Sequence, residues 1–273
     1  MSLALVSALA SALCYGIASV LQSIGARKTE ASATVDPRLM IRLAQSLPYV
    51  IGVAFDVLGF LVSLVALRDL PLFVVQAIVS SYLAVVAVLA VSFLHARLGR
   101  TEWLAIGVVV LGLILLAFSA GPEGPATLAT PGRWALLAFG VLLAIVAWAI
   151  GSVSGRVGAL LIGALAGLGF GLVGVATRVL RDPITVSGLL TDPAAYAVAL
   201  GGLLGMLLFA TALQRGAVTT ATAATVAGQT FAPALVGVLV LGDHTRPGLG
   251  IVGLVGFALA VAGAITLGRY GEL

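Results

Sequence analysis

LPYVIGVAFDVLGFLVSLVAL, residues 47–67, decides the fold class. These 21 consecutive residues hold one charged side chain, Asp56. As a helix rising about 1.5 Å per residue, the run is about 30 Å long, the thickness of a bilayer's hydrocarbon core. Its apolar residues are continuous and do not alternate, which selects a helix over a barrel strand. Comparable runs occur at 2–25, 72–94, 103–119, 134–150, 157–177, 194–213, 217–241 and 247–267. The expected architecture is an all-α polytopic transmembrane helix bundle of about nine helices.

The composition agrees. The 273 residues are 61% hydrophobic and 9% charged, where a soluble domain is about a quarter charged. Such a chain cannot cover its own surface with polar groups, so its partner is the lipid bilayer. The 34 glycines suit closely packed membrane helices. Cys14 is the only cysteine, which excludes an intrachain disulfide. The net charge of +4 reports loop topology and not nucleic-acid binding. Residues 2–25 carry no basic leader or clear cleavage site and are expected to be a retained first span.

Turn chemistry separates the spans: Arg68-Asp69-Leu70-Pro71, Gly121 to Gly132, Asp182-Pro183, Asp192-Pro193 and Arg246-Pro247. The most charged connection is 26–46, within which Pro37 to Gln45 reads as an interfacial amphipathic helix. One side of the predicted topology carries nine basic residues: Arg27, Lys28, Arg38, Arg42, Arg97, Arg100, Arg156, Arg215 and Arg269. The other carries five: Arg68, Arg133, Arg178, Arg181 and Arg246. Positive-inside then puts the N-terminus outside and the C-terminus in the cytoplasm. Lys28 is the only lysine, and the Arg, Ala, Val and Gly bias points to a bacterial cytoplasmic (inner) membrane.

The two halves resemble each other. Ala12 to Ala18 aligns with Gly167 to Val173, and Ala66-Leu67 closes the second span as Ala212-Leu213 closes the seventh. Gly59 and Gly107 fall opposite Gly205 and Gly253 at one constant offset. The expected organisation is a four-helix repeat over 1–119, a loop and linking helix over 120–156, and a second repeat with a short tail over 157–273. The odd fifth helix inverts the second copy, an arrangement on which alternating-access transporters are often built.

Leu58-Gly59-Phe60, Val65-Ala66-Leu67-Arg68-Asp69-Leu70-Pro71-Leu72, Leu98-Gly99-Arg100-Thr101-Glu102-Trp103-Leu104 and Leu241-Gly242-Asp243-His244-Thr245-Arg246-Pro247-Gly248 carry a family likeness. In them the chain resembles the drug/metabolite transporter superfamily, of EamA-like type. Most members have ten helices; the nine here are closer in layout to the magnesium-transporter-like, NIPA-like branch. The resemblance implies a transporter fold and leaves the substrate open. The family's small four-helix relatives carry a proton-coupling Glu in their first helix, where this chain has no acid.

Asp56 is the sharpest candidate. A carboxylate in mid-span costs several kcal/mol unless it is paired, hydrated or protonated. Gly52, Gly59 and Ser63 share its helical face. It is either a proton or cation site or a hydrogen-bonded structural acid. Thr219, Thr222, Thr225 and Gln229 form a stripe in the eighth span, Gln76 and Ser80 open the third, and Ser11, Tyr15, Ser19 and Gln22 share a face of the first. Together these stripes line a polar cavity, or they make interhelical hydrogen bonds worth about 0.6 kcal/mol each. Pro233 follows the eighth-span stripe and frees a carbonyl. Gly169 to Gly174 matches a dinucleotide fingerprint but sits inside a span without a preceding strand. His95 and His244 stand at opposite membrane faces and read as interfacial anchors, with no metal site. Trp103, Trp134 and Trp148, near helix ends, read as interfacial belt residues.

No triad, carboxylate pair or Cys/His cluster appears, so the expectation is no enzyme and no cofactor. The expected function is secondary transport of a small molecule or ion by alternating access, with the substrate between spans one to three and six to eight and with proton coupling through Asp56. The chain would act as a monomer or homodimer. Divalent-cation (Mg²⁺) transport and a non-transporting membrane scaffold or accessory subunit stay open as alternatives.

Overall fold

The computed structural model describes residues 2–29, 35–66, 78–79, 81–94, 98–119, 121, 127–180, 186–216, 218–242 and 244–270. Gln76, Ser80 and His95 lie outside the described residues. Among the described residues there are eleven helices and no strand. They are α1 (Ser2–Lys28), α2 (Arg38–Ala44), α3 (Leu47–Ala66), α4 (Tyr82–Leu94), α5 (Arg100–Ser119), α6 (Thr130–Ala149), α7 (Gly155–Arg178), α8 (Val186–Thr191), α9 (Pro193–Arg215), α10 (Val218–Leu239) and α11 (Gly250–Tyr270).

Six of these, α1, α5, α6, α7, α9 and α11, are long and apolar enough to cross a membrane. Their outer faces carry bare apolar side chains: Trp148 is 76% exposed and Ile251 77%. Apolar surface that extensive needs lipid against it. The protein is an all-α, multi-pass membrane bundle. A helix, α2, forms within the expected 37–45 and meets α3 at 89°. Asp36 starts it, accepting from the Arg38 backbone at 2.9 Å and pairing with Arg42 at 3.0 Å. Leu39 and Leu43 point inward and are buried.

Packing follows small residues. α1 lies along α3, α7 along α9 and α10, and α5 along α11. The α5–α11 contact is backbone to backbone: a Cβ on Gly112 would come 2.5 Å from Ala260 N and Gly256 O. Tight approach of this kind substitutes for the missing hydrophobic drive between helices in lipid. Among the described residues α6 packs mainly on α7 and α9. Trp134 and Trp148 mark its two ends, both exposed, as interfacial belt residues do.

Side-chain contacts tie the helices together at both ends of the bundle. At the Lys28 end, Arg27 Nη2 donates to Gly216 O at 2.8 Å, and Gln214 Nε2 donates to Ala26 O at 2.9 Å and to Thr29 Oγ1 at 2.6 Å. Arg215 Nη1 reaches Val153 O at 2.8 Å. Of these acceptors Ala26 O lies in the last turn of α1, where it also accepts from Thr29 N and Oγ1. At the other end, Asp192 caps α9 through Ala194 N at 3.0 Å and pairs with Arg133 of α6 at 3.0 Å. Pro193 follows at the first helical position, where its missing N–H costs nothing. Two backbone bonds, Gly121 N to His244 O and Arg246 N to Ser119 O, both 3.0 Å, tie the loop before α11 to the end of α5.

Candidate functional site

The site is built from α3 outward. Gly52, Asp56, Gly59 and Ser63 share one face of that helix, and glycine lets α1 press against it. A Cβ on Gly52 would meet Gln22 Cγ at 2.8 Å and Ala18 O at 2.9 Å. A Cβ on Gly59 would meet the Tyr15 ring at 3.3 Å. Ser11 Oγ crosses the same seam to donate to Gly59 O at 2.8 Å. This approach sets the buried Gln22 amide against Asp56, and Gln22 Nε2 donates to Asp56 Oδ2. Among the described residues nothing donates to the other carboxylate oxygen, Oδ1. The phenol groups of Tyr15, Tyr49 and Tyr82 all lie close enough for the Asp56 charge to act on them. The Tyr15 and Tyr82 rings tilt together at 6.0 Å.

Asp56 opens into a cavity of about 820 Å³. Tyr15, Ser19 and Gln22 of α1 line it, together with Asp56, Phe60 and Ser63 of α3 and Tyr82 of α4. The opposite wall is Phe170 and Val173 of α7, Met206 and Phe209 of α9, and Thr225 and Gln229 of α10. Gly205 of α9 makes room for the Phe170 ring, which a Cβ there would touch at 2.8 Å. Pro233 lies inside α10, so the carbonyl four residues earlier, that of Gln229, loses its helical donor.

Depth follows from the helical rise. Gln22, Phe209 and Thr225 stand about 10 Å in from the Lys28 end of the bundle, and Ser63 and Val173 about 25 Å. The cavity thus runs from about a third of the way in toward the Ala66 end. Beneath its floor the Lys28 end is packed shut by Ala26, Leu43, Leu213, Val218 and Ala221, all buried, under the Arg27 and Gln214 hydrogen bonds.

Of the candidates read from the sequence, Asp56, Gln22, Tyr15, Ser63, Thr225 and Gln229 meet at this cavity, and Gln76 and Ser80 fall on undescribed residues. Thr222 does not line it. Thr222 shares the face of Gln229 but lies about 10 Å nearer the Lys28 end, where the helices have closed; it is 1% exposed and its hydroxyl has no partner among the described residues. Thr219 is in the same position. Thr225 reaches the cavity while its single hydroxyl proton lies between two carbonyl acceptors, Gly163 O at 3.0 Å and Ala221 O at 2.9 Å, so its donor is spent on helix packing. Ser63 likewise donates to Phe60 O at 2.7 Å.

The aromatic wall was missed. Tyr49, Val53, Asp56, Phe60 and Ser63 recur at steps of four, three, four and three, so the α3 part was legible from Asp56 outward. Phe170 and Phe209 sit in uniformly apolar runs and carry no signal of facing a cavity. Comparison with protein-family profiles, curated proteins and solved structures finds no match to the chain.

Proposed function

We propose that the chain is a secondary transporter that moves a small molecule or ion across the bacterial cytoplasmic membrane by alternating access, coupled to protons through Asp56. The observation that carries this reading is the 820 Å³ cavity with a carboxylate at mid-depth, walled on one side by α1, α3 and α4 and on the other by α7, α9 and α10. A bundle that only scaffolds has no use for such a space.

The pairing of helices supports an inverted repeat. α1 packs on α3 and α4 as α7 packs on α9 and α10, and α5 meets α11. In this reading α3, α4 and α10 also span, giving nine crossings in a 4+1+4 order with α6 as the odd helix, the N-terminus outside and the C-terminus inside. That layout is closer to the nine-helix, magnesium-transporter-like branch of the drug/metabolite transporter superfamily than to its ten-helix members. Hard divalent cations take about six to eight oxygen ligands. A cavity with one acid in its lining therefore favours a molecular substrate over Mg²⁺.

Cysteine accessibility tests this without knowledge of the substrate. Cys14→Ala removes the native thiol, and Ser63→Cys and Ser23→Cys then report the two ends separately. A transporter exposes Ser63→Cys to a membrane-impermeant maleimide from one face of oriented vesicles, and Ser23→Cys, buried in this conformation, from the opposite face in a second conformation. Protection of both positions under all conditions would leave the scaffold reading standing and overturn this one.

A further inference from the structure

Resting on the transporter reading, we infer that the cavity binds an organic ammonium cation, with Asp56 as its counter-charge and the surrounding rings as its walls. Three observations converge. Among the described residues the lining holds one carboxylate and no Arg, Lys or His, so an ionised Asp56 meets no opposite charge from them. An anion would be repelled there, and a neutral solute would leave the charge without a partner. Next, Asp56 is half satisfied: Gln22 holds Oδ2, while Oδ1 accepts no hydrogen bond among the described residues and is available to a ligand.

The walls supply the third. Tyr15, Tyr49, Phe60, Tyr82, Phe170 and Phe209 enter from five different helices and surround the space on both sides. Ring faces carry negative quadrupole charge and attract cations, most strongly where water is excluded. A quaternary ammonium has no N–H to satisfy and presents methyl groups, so rings plus one carboxylate match it. The space of about 820 Å³ lies in the range of drug-sized ligand sites, about 300–1,000 Å³, and far exceeds a dehydrated metal ion. A primary ammonium of similar bulk shares the same chemistry, with the Gln229 amide as an additional acceptor.

The test uses three probes of one shape: phenyltrimethylammonium, its uncharged isostere tert-butylbenzene, and benzenesulfonate. Binding to the full-length protein in detergent is read by equilibrium dialysis and by the rise in apparent stability that a native-state ligand produces. The expected result is saturable binding of phenyltrimethylammonium alone. Asp56→Asn should weaken it at least about tenfold, and Phe170→Leu by a smaller factor of about three to ten. Phe170→Leu keeps the carboxylate, so it decides the matter if Asp56→Asn does not fold. Equal binding of tert-butylbenzene, preference for benzenesulfonate, or full binding in Asp56→Asn would overturn the inference. Displacement of the probe by Mg²⁺ at equal concentration would overturn it in favour of a metal ion. If no probe binds while Ser63→Cys and Ser23→Cys still alternate in labelling, the substrate class is wrong and the transporter reading survives; if the labelling also fails, both fall.

Discussion

The α1–α3 seam gives the sharpest quantitative test, because one chemical change should have opposite signs at two glycines. Replacing a mid-helix Gly by Ala gains about 1 kcal/mol from helix propensity alone. At Gly107 of α5 nothing lies within 4 Å of the new Cβ, so Gly107→Ala should show that gain undiminished. At Gly52 the same Cβ would lie 2.8 Å from Gln22 Cγ and 2.9 Å from Ala18 O. The side chain can swing aside; the backbone oxygen cannot, so α1 has to move. Overpacking of this sort costs about 1–3 kcal/mol. Net of propensity, Gly52→Ala should lose about 0–2 kcal/mol, and the two variants should differ by about 1–3 kcal/mol. Reversible unfolding in mixed micelles, followed by helical circular dichroism against detergent mole fraction, measures the difference with Gly107→Ala as the internal standard. If Gly52→Ala is as stable as Gly107→Ala, α1 and α3 do not approach this closely, and the account of how Gln22 reaches Asp56 is refuted.

Thr219→Val and Thr222→Val remove buried hydroxyls that have no partner among the described residues, so each should be neutral or stabilising by up to about 1 kcal/mol, with ligand binding unchanged. Thr225→Val removes the one hydroxyl proton that Gly163 O and Ala221 O share and should cost about 0.5–1.5 kcal/mol in the same assay. Gln22→Leu leaves Asp56 Oδ2 without its donor and should lower stability by about 1–3 kcal/mol; an unchanged unfolding midpoint would mean that water replaces the amide freely. Asp192→Ala removes both the α9 cap and the partner of Arg133, which is 12% exposed, and should cost about 2–4 kcal/mol. Arg133→Gln keeps the cap and should cost less; thermal unfolding of the pair in parallel separates the two contributions.

The membrane class was legible because 21 uninterrupted residues such as 47–67 leave a soluble chain no way to hide them. The Asp56 face was legible for a related reason: in an apolar helix, small and polar residues stand out, and Gly52, Gly59 and Ser63 fell in register with the acid. The depth of a residue along its helix was not. Thr222 and Gln229 share a face, and only the closure of the bundle beneath Gln229 separates their environments. Nor could periodicity single out Phe170 and Phe209. In a run where every neighbour is apolar, the side facing a cavity and the side facing lipid use the same alphabet. The Gln22–Asp56 contact joins residues 34 positions apart, and sequence supplied both faces without saying that they meet.

The lone carboxylate has an electrical consequence. Asp56 lies near the middle of α3, and its counterpart under the proposed repeat is Gly202, which carries no charge. A carrier holding one ammonium at such a site is neutral, and the membrane potential does little work on it as it reorients. The same carrier, emptied and ionised, presents one negative charge to the field, and a full crossing of that charge is worth about 2.3 kcal/mol per 100 mV. Voltage acts on that empty, ionised form alone; the carrier that reorients with a proton on Asp56, as coupling requires, is neutral like the loaded one. Charge displacement measured after a voltage jump should accordingly be largest in the absence of ligand, shrink as ligand saturates, and vanish in Asp56→Asn.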